Sequence, residues 1–151
     1  MPDFPSRPIT FAGEFLHSLD DKHRVTIPSA WRTGEGDVFF VIPNEKDQFL
    51  TAVAPHHFEA EKERILQNPE LSSEERQFFA HHFYANAREV ALDKQGRLLL
   101  ADEHYRKAGL EKEAMLVGNH NKFQIWQPAR YAKFAEERSA VIRSLSKRML
   151  I

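Results

Sequence analysis

Two stretches of the chain set an aspartate four residues ahead of an arginine: Asp20-Asp21-Lys22-His23-Arg24 and Asp93-Lys94-Gln95-Gly96-Arg97. An aspartate opening a tight turn accepts hydrogen bonds from backbone N–H groups two or three residues on, and so closes the loop. The arginine that follows carries five donors in a rigid fork. Such a fork grips a phosphate, or reaches O6 and N7 of guanine in a major groove. It also folds back on its own aspartate as an ion pair that only steadies the hairpin. For one copy alone that is the simpler reading; two matching basic turns favour contact with a repetitive partner. Other chemistry is poorly served. The eight histidines include the doublets His56-His57 and His81-His82, but helix neighbours point about 100° apart, so neither doublet is a chelate. No His-x-x-x-His, carboxylate pair, phosphate-cradling loop or nucleophile elbow accompanies them, and Ser18 has no evident base. The chain is therefore expected to be no enzyme, and to use no metal, cofactor or small-molecule substrate.

The elements around the two turns are copies of each other. Asp93 follows Asp20 by 73 residues, and Leu19 and Leu92, Ile27 and Leu100, Pro55 and Pro128 keep the same offset. A fixed period of about half the chain marks an internal duplication. In the first copy Phe15–Leu19 leads into the turn and Arg24–Ile27 leaves it with β-branched side chains. Pro28 starts one helical turn, and the apolar runs Val38–Ile42 and Phe49–Val53 supply two more strands. The second copy repeats this ββαββ pattern with Glu89–Leu92, Arg97–Leu100, a helix over Asp102–Ala108 ended by Gly109, Ala114–Gly118 and Phe123–Trp126. One such unit is too small to close a core, so the two are expected to share one, with Ile27, Phe40, Leu100, Leu116 and Ile125 buried. Gly96 suits the positive φ of its turn; His23 holds the matching place in the first copy, where histidine is tolerated.

The proline-bearing residues 1–12 read as a flexible arm. Residues 13–58 make the first unit, 59–86 a helical linker, 87–130 the second unit, and 131–151 a C-terminal helix. In the linker, one helix runs from Pro55 to about Gln67. The capping-box pattern Ser72-x-x-Glu75 announces a second, whose Phe78, Phe79 and Phe83 are expected to pack on the strands. The C-terminal helix spaces Tyr131, Phe134, Val141, Leu145 and Met149 by three to four, or by multiples of that. Its basic face (Lys133, Arg138, Arg143, Lys147, Arg148) reads first as solvated, and second as a DNA-contacting tail.

Composition limits the partners. With 42% hydrophobic and 28% charged residues and no run near the ~18–20 apolar residues of a membrane span, no membrane partner is expected. The first residues lack the apolar core of a signal peptide. Cysteine is absent, which fits a reducing cytoplasm. Net charge is −1 and the pI about 6.7, so any nucleic-acid binding must come from local clusters or from many copies of a weak site.

Gly13-Glu14-Phe15-x-His17-Ser18-Leu19-Asp20-x-Lys22-x-Arg24-Val25-x-Ile27-Pro28-x-x-x-Arg32 resembles the first half of the MraZ family of bacterial transcriptional regulators. Asp93-x-x-Gly96-Arg97-Leu98-Leu99-Leu100, Ala108-Gly109-Leu110 and Val117-Gly118-x-x-x-Lys122-Phe123-x-Ile125-Trp126 resemble the second. The resemblance implies an α+β fold of two AbrB-like (SpoVT-AbrB) swapped-hairpin units interdigitated into one β-barrel. It implies binding of double-stranded DNA at promoter repeats as a ring-like homo-oligomer in the cytoplasm, on the nucleoid. The regulated genes would be the division and cell-wall cluster, under repression. Carried over, the DNA-facing residues are Arg24, Arg97 and Arg32, with Lys22, His23, Lys94 and Gln95 of the same turns, while Asp20, Asp93 and Gly96 shape the loops. The sequence departs from the pattern at His23, where a turn glycine is usual, and at Tyr105, where the first copy has Arg32. That second departure leaves the 93–97 turn with one matched cation fewer, and Arg24 is expected to matter more than Arg97. An AbrB-like protein-interaction module of antitoxin type is the alternative, though such proteins usually carry one copy and a disordered tail.

Overall fold

A computed structural model of the chain describes residues 8–34 and 36–151. The first repeat supplies β1 (Glu14–Ser18), β2 (Arg24–Thr26), a 3-10 turn at Ser29–Trp31, β3 (Val38–Pro43) and β4 (Leu50–Val53). Two helices follow, α1 (Pro55–Leu66) and α2 (Ser73–Ala85). The second repeat supplies β5 (Arg88–Ala91), β6 (Arg97–Leu99), α3 (Asp102–Lys107), β7 (Glu113–Asn119) and β8 (Lys122–Trp126). The chain closes with α4 (Pro128–Glu137) and α5 (Ser139–Met149).

Strand pairing runs mainly between repeats. β1 pairs with β7, β5 with β3, β2 with β6 and β4 with β8, all antiparallel; β3–β4 and β7–β8 are hairpins within a repeat. Six strands form one sheet in the order β1-β7-β8-β4-β3-β5, and β2–β6 form a separate ribbon. The fold is thus the interdigitated α+β arrangement of two swapped hairpins, but the expected barrel is not closed. Strands β1 and β5 end the sheet without bonding to each other. Instead, β2 and β6 use their ladder bonds on one another and meet their own neighbours only at the turns, through Asp20 N–H to Arg24 C=O and Asp93 N–H to Arg97 C=O, each 3.0 Å.

Val25 and Leu98 turn inward from the ribbon with no exposed surface and join Leu50, Ala52, Leu116 and Ile125 in the main core. Trp31, Phe39, Phe123 and Phe11 complete it as a cluster of tilted and edge-on rings 5.1–6.2 Å apart, a spacing favoured by the ring quadrupole. Ile27, Leu100, Leu116 and Ile125 are buried as anticipated. Phe40 is not in this core: it lies on the other face of β3 and stacks on Phe58 of α1 at 4.1 Å. An unbroken apolar run conceals which alternate residues face which side, because both faces of β3 are covered. The expected arm over 1–12 lies partly outside the described residues. Within them, Phe11 is buried and bridges His120, so this end is anchored. Gly118 permits that docking, since a Cβ there would stand 2.5–2.6 Å from the backbone of Phe11 and Ala12.

The helices depart from expectation at two places. The capping box of α2 forms, with Ser72 Oγ accepting from Glu75 N–H at 3.1 Å and Glu75 Oε1 from Ser72 N–H at 2.9 Å. Its apolar face, however, is only lightly engaged: Phe83 reaches Phe58 at 5.4 Å, while Phe78 is 79% and Phe79 47% exposed. The C-terminal helix is broken at Arg138, whose guanidinium sits 3.6 Å over the Phe134 ring. Phe134 packs on Trp126 at 4.6 Å and so ties α4 to the sheet. No residue of α5 is buried, and Val141, Ile142, Leu145 and Met149 face outward.

Candidate nucleic-acid interface

The two Asp-x-x-x-Arg turns are built alike, bond for bond. Asp20 Oδ1 accepts from Lys22 N–H (2.9 Å) and Arg24 N–H (2.8 Å), and Asp93 Oδ1 accepts from Gln95 N–H and Arg97 N–H (2.9 Å each). The second carboxylate oxygen takes Arg24 Nε in one turn and Arg97 Nε in the other, both at 2.7 Å. The arginine N–H on Oδ1 is the main reason both carboxyls ionise below the ordinary aspartate range; the guanidinium adds to it, against some desolvation. Each arginine therefore makes the intra-turn ion pair. Only Nε is used in it: among the described residues the Nη groups of Arg24 and Arg97 have no partner. The aspartate holds the side chain in one orientation and leaves the other edge of the fork open.

The tertiary structure also puts the two arginines on one surface. In the β2–β6 register Arg24 lies opposite Leu99, Val25 opposite Leu98, and Thr26 opposite Arg97. Alternation along each strand sends Val25 and Leu98 to the core and the other four residues outward. Arg24 and Arg97 are diagonal neighbours on that outer face, with Cα atoms about 8 Å apart given the rise and spacing of an antiparallel pair. They are not at the tips of two separate hairpins. Thr26 and Leu99, both exposed, lie between them; sequence reasoning passed over both, although each stands two residues from its arginine and so shares its face. Lys22, Lys94 and Gln95 are exposed in the turns flanking the ribbon.

Position 23 in one turn and position 96 in the other both have positive φ, 63° for His23 and 77° for Gly96. His23 is held by contacts from the opposite repeat: its ring stacks on Tyr105 with centroids 3.7 Å apart, and Nδ1 lies 3.1 Å from Asp102 Oδ1. Arg32 reaches the turn of the other repeat. It packs over Gly96, and the expectation that the 93–97 turn has fewer cations reverses. Residues 32 and 105 each cross to the other repeat's turn.

The family described as "MraZ protein, putative antitoxin-like" matches residues 83–150. The chain is 34% identical over 140 residues to the transcriptional regulator MraZ of Moorella thermoacetica, covering 93% of this chain and 96% of that one. It is 31% identical to that of Desulforamulus reducens, covering 93% and 97%, and 34% identical to that of Thermomicrobium roseum, covering 92% and 96%. Similarity at this level along nearly the whole of both chains spans both repeats and both turns: the chain belongs to the MraZ family, whose members named here are transcriptional regulators.

Proposed function

We propose that the chain is a DNA-binding transcriptional regulator that lays the outer face of the β2–β6 ribbon in the major groove. The observation that carries this reading is the placement of Arg24 and Arg97 on one exposed two-stranded ribbon, each oriented by an aspartate and open on its Nη edge. A two-stranded ribbon is narrow enough for that groove, and a guanidinium edge matches guanine or phosphate. Lys22, Lys94 and Gln95 would contact the flanking backbone, and His23 would line one end.

One subunit is a weak electrostatic partner at net charge −1. Joining weak sites raises effective affinity ~10²–10⁴-fold where geometry allows simultaneous contact. The exposed apolar faces of α2 and α5 support such assembly, because two different patches meeting head to tail close into a ring when the rotation permits. In keeping with the resemblance, the targets would be repeats upstream of a division and cell-wall gene cluster, bound as a repressor on the nucleoid.

A mobility-shift titration against the region upstream of the protein's own gene tests the reading. The unaltered protein should shift the repeats, and each Arg→Ala that removes a guanine contact should cost about 1–3 kcal/mol. Full-affinity binding by the Arg24→Ala, Arg97→Ala double variant would end the claim that this ribbon reads DNA.

A further inference from the structure

Arg32 and Gly96 come from different repeats and are packed together. A Cβ at Gly96 would stand 2.5 Å from Arg32 Cζ and 2.8 Å from its Cδ, so the guanidinium lies on the bare backbone of the second turn. Tyr105 on His23 is the equivalent contact, since residues 32 and 105, like 23 and 96, are one repeat apart. The repeats thus exchange one side chain each, a cation in one direction and a neutral ring in the other.

Arg32 is also unsatisfied. Its Nε is buried without a hydrogen-bond partner, and among the described residues no carboxylate lies within ion-pair reach of it. A buried charged donor with nothing to donate to among the described residues is costly, and an anionic acceptor brought by a ligand would relieve that cost. Beside it opens a cleft of about 260 Å³ lined by Lys94, Gly96, Asp37 and Asp93. Both of those carboxylates are occupied, Asp37 by Thr33 Oγ1 at 2.8 Å and Asp93 by Arg97. The first turn is different. There Lys22 and Arg24 share the turn with Asp20, Asp21 and, through His23, Asp102: two cations against three carboxylates, where the second turn has three cations against two.

We propose that Arg32 completes a phosphate site on the second repeat's turn with Lys94, which lines the same cleft, making residues 93–97 the dominant DNA anchor and residues 20–24 the subordinate one. This rests on the DNA-binding reading above. It makes the two halves of a pseudo-symmetric ribbon unequal, so that the preferred DNA element has a strong and a weak half.

The test uses the full chain and a duplex from the region upstream of its own gene, titrated at several salt concentrations. Arg32→Met keeps a packed stem without charge; it should weaken binding about tenfold or more and flatten the log–log salt slope by about 0.9 per subunit engaged. Arg32→Lys should retain most of the slope, and Arg97→Ala should lose more affinity than Arg24→Ala. A gain-of-function variant does not depend on tolerating a loss: His23→Gly with Tyr105→Arg rebuilds the second turn's arrangement on the first, and should tighten binding and steepen the slope. Wild-type affinity and slope in Arg32→Met, or a larger loss in Arg24→Ala than in Arg97→Ala, would overturn the proposal while leaving the ribbon reading intact. Full binding by the Arg24→Ala, Arg97→Ala double variant would overturn both. If inorganic phosphate alone raised the melting temperature through Arg32 while DNA binding ignored that residue, the site would belong to a free anion, and the assignment to DNA would fall.

Discussion

Val25 and Leu98 face each other across the β2–β6 ribbon, and each is the other's counterpart in the duplication. A residue paired with its own repeat equivalent marks a pseudo-two-fold axis. Thr51 and Gln124, also 73 apart, are paired in the same way across β4–β8. The axis therefore passes through the middle of the ribbon and of the sheet beneath it, and it is this axis that brings Arg24 and Arg97 to opposite corners of one small surface. Both axial side chains of the ribbon have zero exposure, so the core directly supports the proposed reading face.

Leu98→Ala should destabilise the protein by about 2–5 kcal/mol in urea unfolding, the range for a buried leucine whose cavity does not collapse. Val25→Ala in addition should cost other than the sum of the single changes, because the two residues are directly opposite each other in the ribbon and share one core. A loss below about 1 kcal/mol for Leu98→Ala would mean that the ribbon is not part of the cooperative core.

The first repeat on its own should not fold. Residues 1–60 would leave β1, β2 and β3 without β7, β6 and β5, and β4 without β8. Circular dichroism of that fragment should show no cooperative melt, and adding the complementary fragment should restore one. A stable monomeric half would contradict the interdigitated pairing.

Stability should fall in two steps as the solution is acidified. His104 is 1% exposed and donates from Nε2 to Asn86 C=O at 2.7 Å; burial depresses its pKa below 6.5. Below that pH the unfolded chain takes up a proton that the folded chain refuses, so stability declines. Asp20 and Asp93 act lower. Their folded pKa values lie under 3.8, chiefly because of the Arg24 and Arg97 backbone N–H groups, so their contribution is complete above 3.8 and vanishes as pH drops through the folded values. Melting temperature against pH should show both windows. Asp20→Asn with Asp93→Asn should flatten the lower one only; an unchanged acid limb would mean that the two pairs do not couple to folding.

Leu145→Glu should disperse the proposed oligomer without lowering the stability of the subunit, since Leu145 is 41% exposed on a helix with no buried residue. Light scattering checks this. An unaltered protein that is monomeric at micromolar concentration and on DNA would remove the ring from the proposal.

Much of this molecule was legible in its sequence, because the determinants were local or repeated. The duplication, the Asp-closed turns, the capping box at Ser72 and Glu75, and nearly every strand follow from short-range hydrogen bonding, glycine and proline placement, and apolar patterning. The resemblance to MraZ added the exchange of strands between units. What the chain order could not convey is which side chains meet after that exchange. Phe40 and Phe39 look alike in an apolar run, yet only Phe39 enters the main core. Val141, Leu145 and Met149 follow an apolar spacing along the C-terminal helix, but the helix breaks at Arg138 and among the described residues nothing covers that face. Arg32 is the clearest case. Sequence position assigns it to the first turn, and only the crossing of the two repeats about the Val25–Leu98 axis carries it onto Gly96 of the second, where the missing Cβ leaves room for a guanidinium.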